Sequence, residues 1–122
     1  MRAALGVLAD VICVLAFVVI GRASHHAGET LAGVAGTAWP FLVGLAAGEA
    51  ATRAWRRPFA LVPTGVGVWL ATVAIGQALR AAAGPGTDIA FIAVSAVFLG
   101  LFLLGWRVAA ARVPAARSRI PG

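Results

Sequence analysis

Asp10 has the clearest chemical significance in this sequence, because it is a carboxylate inside a long apolar stretch that begins near Ala3. At that depth in a bilayer, an acidic side chain costs on the order of 2–3 kcal/mol on insertion scales. Asp10 is therefore expected to face other helices, a water-filled cavity or a bound partner. Two interpretations stay open: a protonation or cation site, and an acid retained for a helix–helix hydrogen bond.

A second acidic residue, Glu49, occurs late in another apolar stretch. Arg53 follows four residues later, in the order that favours an i,i+4 ion pair on a helix, and this pairing is the expected one. The alternative is that Glu49 shares a site with Asp10. Two like charges held together would then favour protonation of one of the carboxyl groups.

A second set of polar residues is predicted at the opposite ends of the apolar stretches. Its members are Arg22, Ser24, His25, Gln77 and Arg80. If the first and third helices are adjacent, two guanidinium groups and a histidine would meet at one depth, which suits a phosphate, a carboxylate or a lipid headgroup. The alternative is that the arginines pair with Glu29, Asp88 or loop carbonyl groups.

Four tryptophans lie near the ends of the apolar stretches. Trp55 and Trp106 are typical interfacial anchors. Trp39 and Trp69 are candidates for lining a cavity, although packing between helices explains them equally well.

The sequence contains none of the common catalytic or cofactor-binding motifs. It has no paired cysteines, no glycine-rich phosphate loop and no carboxylate–histidine metal motif. His25 and His26 are adjacent, so on a helix they point about 100° apart and do not readily bind one metal ion. We therefore expect no enzyme activity, no cofactor and no metal site.

The composition is that of a membrane protein. Hydrophobic residues make up 61% of the 122 residues, charged residues 11%, and the mean hydropathy is +0.97. A soluble domain carries about a quarter charged residues. The net charge of +6 comes from arginines near the ends of the apolar stretches, which is a membrane-topology pattern and argues against nucleic-acid binding.

The hydropathy pattern predicts an all-α, integral membrane four-helix bundle in a single domain. The predicted spans are about 3–21, 31–51, 62–82 and 89–106, followed by a basic tail at 107–122. The first span is too long for a signal peptide and is expected to be retained. Gly44 and Gly48 form a GxxxG pair, part of a small-residue face with Gly36 and Pro40 that allows another helix to approach closely. Pro40 is expected to kink the second helix.

The distribution of arginine predicts the orientation. Eight arginines fall in the N-terminus, the second loop and the tail, and only two fall in the first and third loops. By the positive-inside rule both termini are cytoplasmic, in a multi-pass protein of the cell membrane.

Several short motifs resemble a family of small prokaryotic four-span membrane proteins, the domain of unknown function numbered 3054. They are Asp10, Gly21-Arg22-x-Ser24-His25, Trp39-Pro40-Phe41-Leu42-x-Gly44, Trp69, Gly76-x-x-x-Arg80 and Gly105-Trp106-Arg107. The resemblance implies an integral membrane protein without an assigned activity, and it carries over no catalytic residues.

Two classes of function remain open from the sequence. The first is a small transporter or channel, with Asp10 as its proton or ion site and an outer cluster of arginine and histidine. Four spans are few for enclosing a polar pathway, so this role would favour a homodimer in the lipid bilayer. The second is a non-catalytic membrane component that binds a lipid or a partner membrane protein. The substrate is not evident from the sequence.

Overall fold

The computed structural model describes residues 2–24, 31–83 and 89–112, which form four long helices. These are α1 (Arg2–Ser24), α2 (Leu31–Thr52), α3 (Val66–Ala83) and α4 (Ile89–Arg112). Each lies in a segment long and apolar enough to cross a membrane. Helices suit such segments because every backbone N–H and C=O within them is satisfied internally. The predicted all-α, four-helix architecture is confirmed.

The four helices form a ring in chain order. Contacts join α1 to α2, α2 to α3, α3 to α4, and α4 back to α1. The described parts of α1 and α3 therefore lie diagonally across the bundle. Arg22 and Arg80 are predicted to meet only if α1 and α3 are adjacent. Because these two helices are not adjacent, that condition is not met.

The bundle is apolar outside and contains polar groups inside. Many large aliphatic side chains are exposed, among them Leu8, Ile12, Leu70 and Leu101. The buried polar and charged residues are Asp10, Thr64, Thr72, Gln77, Ser95 and Arg107. So large an exposed apolar surface is unlike that of a water-soluble protein and is expected where lipid is the solvent.

The α2–α3 interface is built on glycine. A Cβ atom at Gly44 would lie 2.9 Å from the carbonyl oxygen of Ala71, and one at Gly48 would lie 2.9 Å from the Cα of Val68. The predicted close approach at the GxxxG pair is confirmed. It does not extend to Gly36, whose Cβ position has no atom of another element within 4 Å among the described residues. The α2 helix continues through Pro40.

The third helix begins later than the predicted span. Leu61–Gly65 forms a short π-helical turn, in which Val62 has an extended conformation (φ −124°, ψ 129°). Val62 precedes Pro63, and the proline ring disfavours the helical region for the residue before it. Regular α-helix therefore starts at Val66, four residues after the predicted start at 62.

The connection between α2 and α3 is folded against the end of the bundle. Arg53 has a positive φ of 52°, and the N–H of Ala54 donates to the carbonyl of Glu49 at 2.9 Å, which is a Schellman-type helix end. The following Pro58 is buried, and its ring lies where a Cβ at Gly6 of α1 would be. This packing brings the backbone of the connection next to α1 and α4.

Candidate functional site

A buried ion pair connects the first and last helices. Both Nη atoms of Arg107 donate to the carboxylate of Asp10, at 2.9 Å to Oδ1 and 2.8 Å to Oδ2. The Asp10 side chain is 0% exposed and that of Arg107 is 1% exposed. The bidentate geometry gives the two charges the compensation that burial requires.

Two of the three remaining N–H groups of Arg107 are also used. Its Nε donates to the carbonyl oxygen of Pro58 at 3.0 Å, and Nη1 also donates to the carbonyl oxygen of Leu103 at 2.9 Å. Four of its five N–H groups are therefore bonded. Trp106 donates its Nε1–H to Oδ1 of Asp10 at 2.9 Å. One guanidinium thus connects α1, α4 and the α2–α3 connection.

Glycine makes room for this arrangement. A Cβ at Gly65 would lie 3.0 Å from the Cδ of Arg107. The aromatic ring of Trp106 packs edge-on against Phe59, with 5.2 Å between ring centroids. Gly65 therefore leaves space for the Arg107 side chain on one side, and the ring of Trp106 packs against its guanidinium on another.

Glu49 of α2 joins this cluster. Its carboxyl group lies close enough to Asp10 and Arg107 to interact electrostatically with both. Its Oε2 is buried and has no hydrogen-bond partner within the described residues. We call Asp10, Glu49, Trp106 and Arg107 the inner cluster.

The expected ion pair of Glu49 with Arg53 does not form. Of the residues that the structure describes, only Asp10 and Arg107 make an ion pair within 4.0 Å. The physical reason is that α2 ends at Thr52 and Arg53 takes up the left-handed conformation. The i,i+4 geometry of a helix therefore does not reach Arg53. Glu49 instead lies within electrostatic reach of Asp10, as the alternative expects.

A family model described as "Protein of unknown function (DUF3054)" matches residues 7–110 of the chain. The chain belongs to this family. The match spans the whole inner cluster, as well as Gln77 and Arg80. No protein of curated function and no protein of solved structure matches the sequence.

Two of the motifs that carry the resemblance to DUF3054, Asp10 and Gly105-Trp106-Arg107, meet in the inner cluster. Their meeting changes the predicted roles of Arg107 and Trp106. The predicted basic tail begins at Arg107, yet α4 continues to Arg112 and Arg107 is buried inside it. The sequence predicts Trp106 to be an interfacial anchor, yet its indole N–H donates to Asp10. The buried carboxylate of Asp10 is the hydrogen-bond partner that stabilises both side chains in these positions.

Several of the residues predicted at the outer ends of the helices lie outside the residues that the structure describes. His25, His26, Glu29 and Asp88 lie outside the described residues. Arg22 and Ser24 belong to the last turn of α1, but their side chains are also outside what is described.

Gln77 and Arg80 are the outer residues that the structure does describe. Gln77 of α3 is buried and donates from Nε2 to the Oγ of Ser95 in α4. The guanidinium of Arg80 lies 4.3 Å from the ring centroid of Phe91, also in α4. Both therefore face α4, on one side of α3.

The two tryptophans considered as cavity-lining residues have different surroundings. Trp69 packs against α4: its Nε1 donates to the carbonyl oxygen of Ala96 at 2.9 Å, and a Cβ at Gly100 would lie 3.1 Å from that nitrogen. Trp39 is 43% exposed. Packing accounts for Trp69, and Trp39 lies at the surface of the bundle.

The hydrogen bond of Trp106 is a testable contribution to stability. Trp106→Phe keeps an aromatic ring beside Phe59 and removes the donor to Asp10. Because hydrogen bonds to charged groups are worth about 1.5–3 kcal/mol, we expect the free energy of unfolding in mixed detergent micelles to fall by about that amount. The matched control is Trp55→Phe, since Trp55 is 57% exposed. Equal stability of the two variants would contradict the role of the bond.

Proposed function

We propose that the protein is a small membrane carrier in which Glu49 holds an exchangeable proton or cation. The observation that carries the proposal is the composition of the inner cluster, which contains two carboxyl groups and one guanidinium inside the membrane-spanning helices. One guanidinium balances one carboxylate, and Asp10 makes the bidentate contact. The second carboxyl group requires one more positive charge, which a proton or a small cation supplies.

Glu49 is the carboxyl group of the inner cluster without a fixed positive partner. Within the described residues it makes no ion pair, whereas Asp10 is paired with Arg107. Asp10 accepts three hydrogen bonds from Trp106 and Arg107, so its carboxylate oxygens are already occupied. We therefore assign the exchangeable proton or cation to Glu49.

The position of Glu49 suits exchange. It lies one turn before the end of α2, its side chain is partly exposed, and its Oε2 has no partner among the described residues. The groups that face it are Asp10 from α1 and Arg107 from α4. We assign the exchangeable site to Glu49, whereas the sequence alone pointed to Asp10, because the pairing of Asp10 with Arg107 gives Asp10 a fixed structural partner.

The topology of the carrier follows from the basic residues. With Arg107 buried in a pair, seven arginines still fall on the side of the two termini and two on the other. We place both termini in the cytoplasm, with the inner cluster near that side of the cell membrane. A bundle of four helices encloses little polar space, and we propose a homodimer as the working unit.

The test of this proposal uses proteoliposomes that contain a pH-sensitive dye. A membrane potential set by K⁺ and valinomycin, or an inward Na⁺ gradient, should change the internal pH when wild-type protein is present. Glu49→Gln should reduce the rate to that of protein-free liposomes, because the amide cannot exchange a proton. Glu29→Gln, at the chain's other glutamate, is the matched control and should behave as wild type. A Glu49→Gln variant with wild-type flux would overturn the assignment.

Infrared spectroscopy tests the protonation directly. The carboxylic-acid C=O stretching band of the folded protein should be lost in Glu49→Gln and kept in Glu29→Gln. A band unchanged by Glu49→Gln would show that the proton does not reside there.

A second candidate function is a non-catalytic membrane component that binds a lipid or a partner protein. The full pairing of Asp10 and Arg107 favours it, since such a pair stabilises an arrangement of helices without moving any solute. It predicts no proton movement by wild-type protein under either gradient, with a normal carboxylic-acid band. That combination of results would select it over the carrier.

A further inference from the structure

A second buried polar contact lies between α3 and α4, away from the inner cluster. The Oγ of Ser95 donates its single proton to the carbonyl oxygen of Ile92 at 3.0 Å. It therefore accepts from the Nε2 of Gln77, which fixes the orientation of that amide. The Oε1 of Gln77 then has no hydrogen-bond partner within the described residues, although only 8% of the residue is exposed.

Arg80 extends this feature by one turn. It follows Gln77 by three residues, so both side chains leave the same face of α3. The Nε of Arg80 is buried and has no hydrogen-bond partner within the described residues, and the guanidinium lies over the ring of Phe91. Phe91 precedes Ser95 by one turn of α4, so the two contacts stack along one interface. Across residues 2–24, 31–83 and 89–112, no carboxylate makes an ion pair with Arg80.

The two unpartnered atoms define complementary chemistry. The Oε1 of Gln77 can only accept a hydrogen bond, and the N–H groups of Arg80 can only donate. A suitable ligand therefore carries an anionic oxygen for the guanidinium and a hydrogen-bond donor for the amide oxygen. A tetrahedral oxyanion suits the guanidinium fork, and a protonated oxygen or a nearby ammonium group supplies the donor.

We infer that Arg80 and Gln77 bind the phosphate group of a ligand that also carries a hydrogen-bond donor. Two sources share this chemistry: free hydrogen phosphate and the headgroup of phosphatidylethanolamine. Arg80 lies three residues before the end of α3, which places the site near the headgroup level of that leaflet. The inference does not depend on the carrier proposal, because it concerns neither Glu49 nor Asp10.

The first experiment measures binding of hydrogen phosphate and sulfate to the purified full chain in detergent by titration calorimetry. Sulfate has the same shape but no proton to donate at neutral pH, so phosphate should bind about tenfold or more tightly. Gln77→Leu should abolish this preference. Arg80→Gln should weaken phosphate binding by roughly tenfold or more, whereas the exposed Arg56→Gln should leave it unchanged.

Native mass spectrometry distinguishes the lipid source. If phosphatidylethanolamine is the ligand, wild-type protein should retain it in preference to phosphatidylcholine, whose headgroup lacks an N–H donor, and Arg80→Gln should lose that preference. If the protein retains phosphatidylethanolamine but does not bind hydrogen phosphate, the ligand is the lipid. If it binds hydrogen phosphate but does not retain the lipid, the ligand is free phosphate.

The inference is overturned if wild-type protein binds neither probe, or if Arg80→Gln binds both as wild type does. Equal affinity for phosphate and sulfate, without preferential retention of phosphatidylethanolamine, would also overturn it. Circular dichroism checks the fold of each variant. Should Arg80→Gln not fold, Arg80→Lys keeps the charge and removes the planar fork, and it should still bind either probe more weakly than wild type.

Discussion

Arg107→Ala is expected to lower the free energy of unfolding by about 3–5 kcal/mol, the typical effect of removing one partner of a buried ion pair. The variant leaves the fully buried Asp10 without its bidentate partner and the carbonyl oxygen of Pro58 without its donor. Unfolding in mixed detergent and sodium dodecyl sulfate micelles, followed by circular dichroism, measures the change.

The matched control for this variant is Arg112→Ala. Arg112 lies in the same helix, but its side chain is exposed, so the change should stay within about 0.5 kcal/mol. If Arg107→Ala is no more damaging than Arg112→Ala, the buried pair does not stabilise the bundle.

A double variant separates the pair from the loss of side-chain volume. Asp10→Leu combined with Arg107→Met replaces both charges by apolar groups and leaves no unpaired ion. It should recover much of the stability that either single change loses, since buried pairs are often replaceable by packed hydrophobic residues. Additive losses would show that the two side chains act independently.

Gly44→Ala is the second large expected effect on stability. The new methyl group would lie 2.9 Å from the carbonyl oxygen of Ala71 and 3.0 Å from the Cα of Thr72. Both are backbone atoms, so the two helices must move apart. We expect the free energy of unfolding to fall by about 1–3 kcal/mol, as for other overpacked interiors.

The control for this prediction lies in the same helix. Gly36→Ala adds the same methyl group at a position where no atom of another element in the described part of the chain lies within 4 Å. Alanine is the better helix former by about 1 kcal/mol, so this variant should be as stable as wild type or slightly more stable. The same loss in both variants would contradict close packing at Gly44.

Only part of the inner cluster can be identified from the sequence. Asp10 stands out in the sequence because a carboxylate inside an apolar stretch is rare, whatever surrounds it. Arg107 does not stand out, because an arginine at the end of an apolar segment looks the same whether it faces headgroups or folds back into the bundle. The grouping of Gly105-Trp106-Arg107 with Asp10 in the family resemblance was the one signal that linked them.

The sequence by itself determined the four apolar helices, their approximate limits and the close packing at Gly44 and Gly48 of α2, because helix formation in lipid and small-residue packing depend on local composition. Only the tertiary structure decided which polar groups meet. Asp10 and Arg107 are 97 positions apart, and their contact depends on the ring that brings α4 back to α1. The surroundings of Glu49 were decided in the same way: α2 ends before Arg53, which takes the left-handed conformation and does not pair with Glu49, and the carboxyl group lies near Asp10. Local pattern predicts which segments enter the membrane, whereas long-range packing selects the partner of each buried charge.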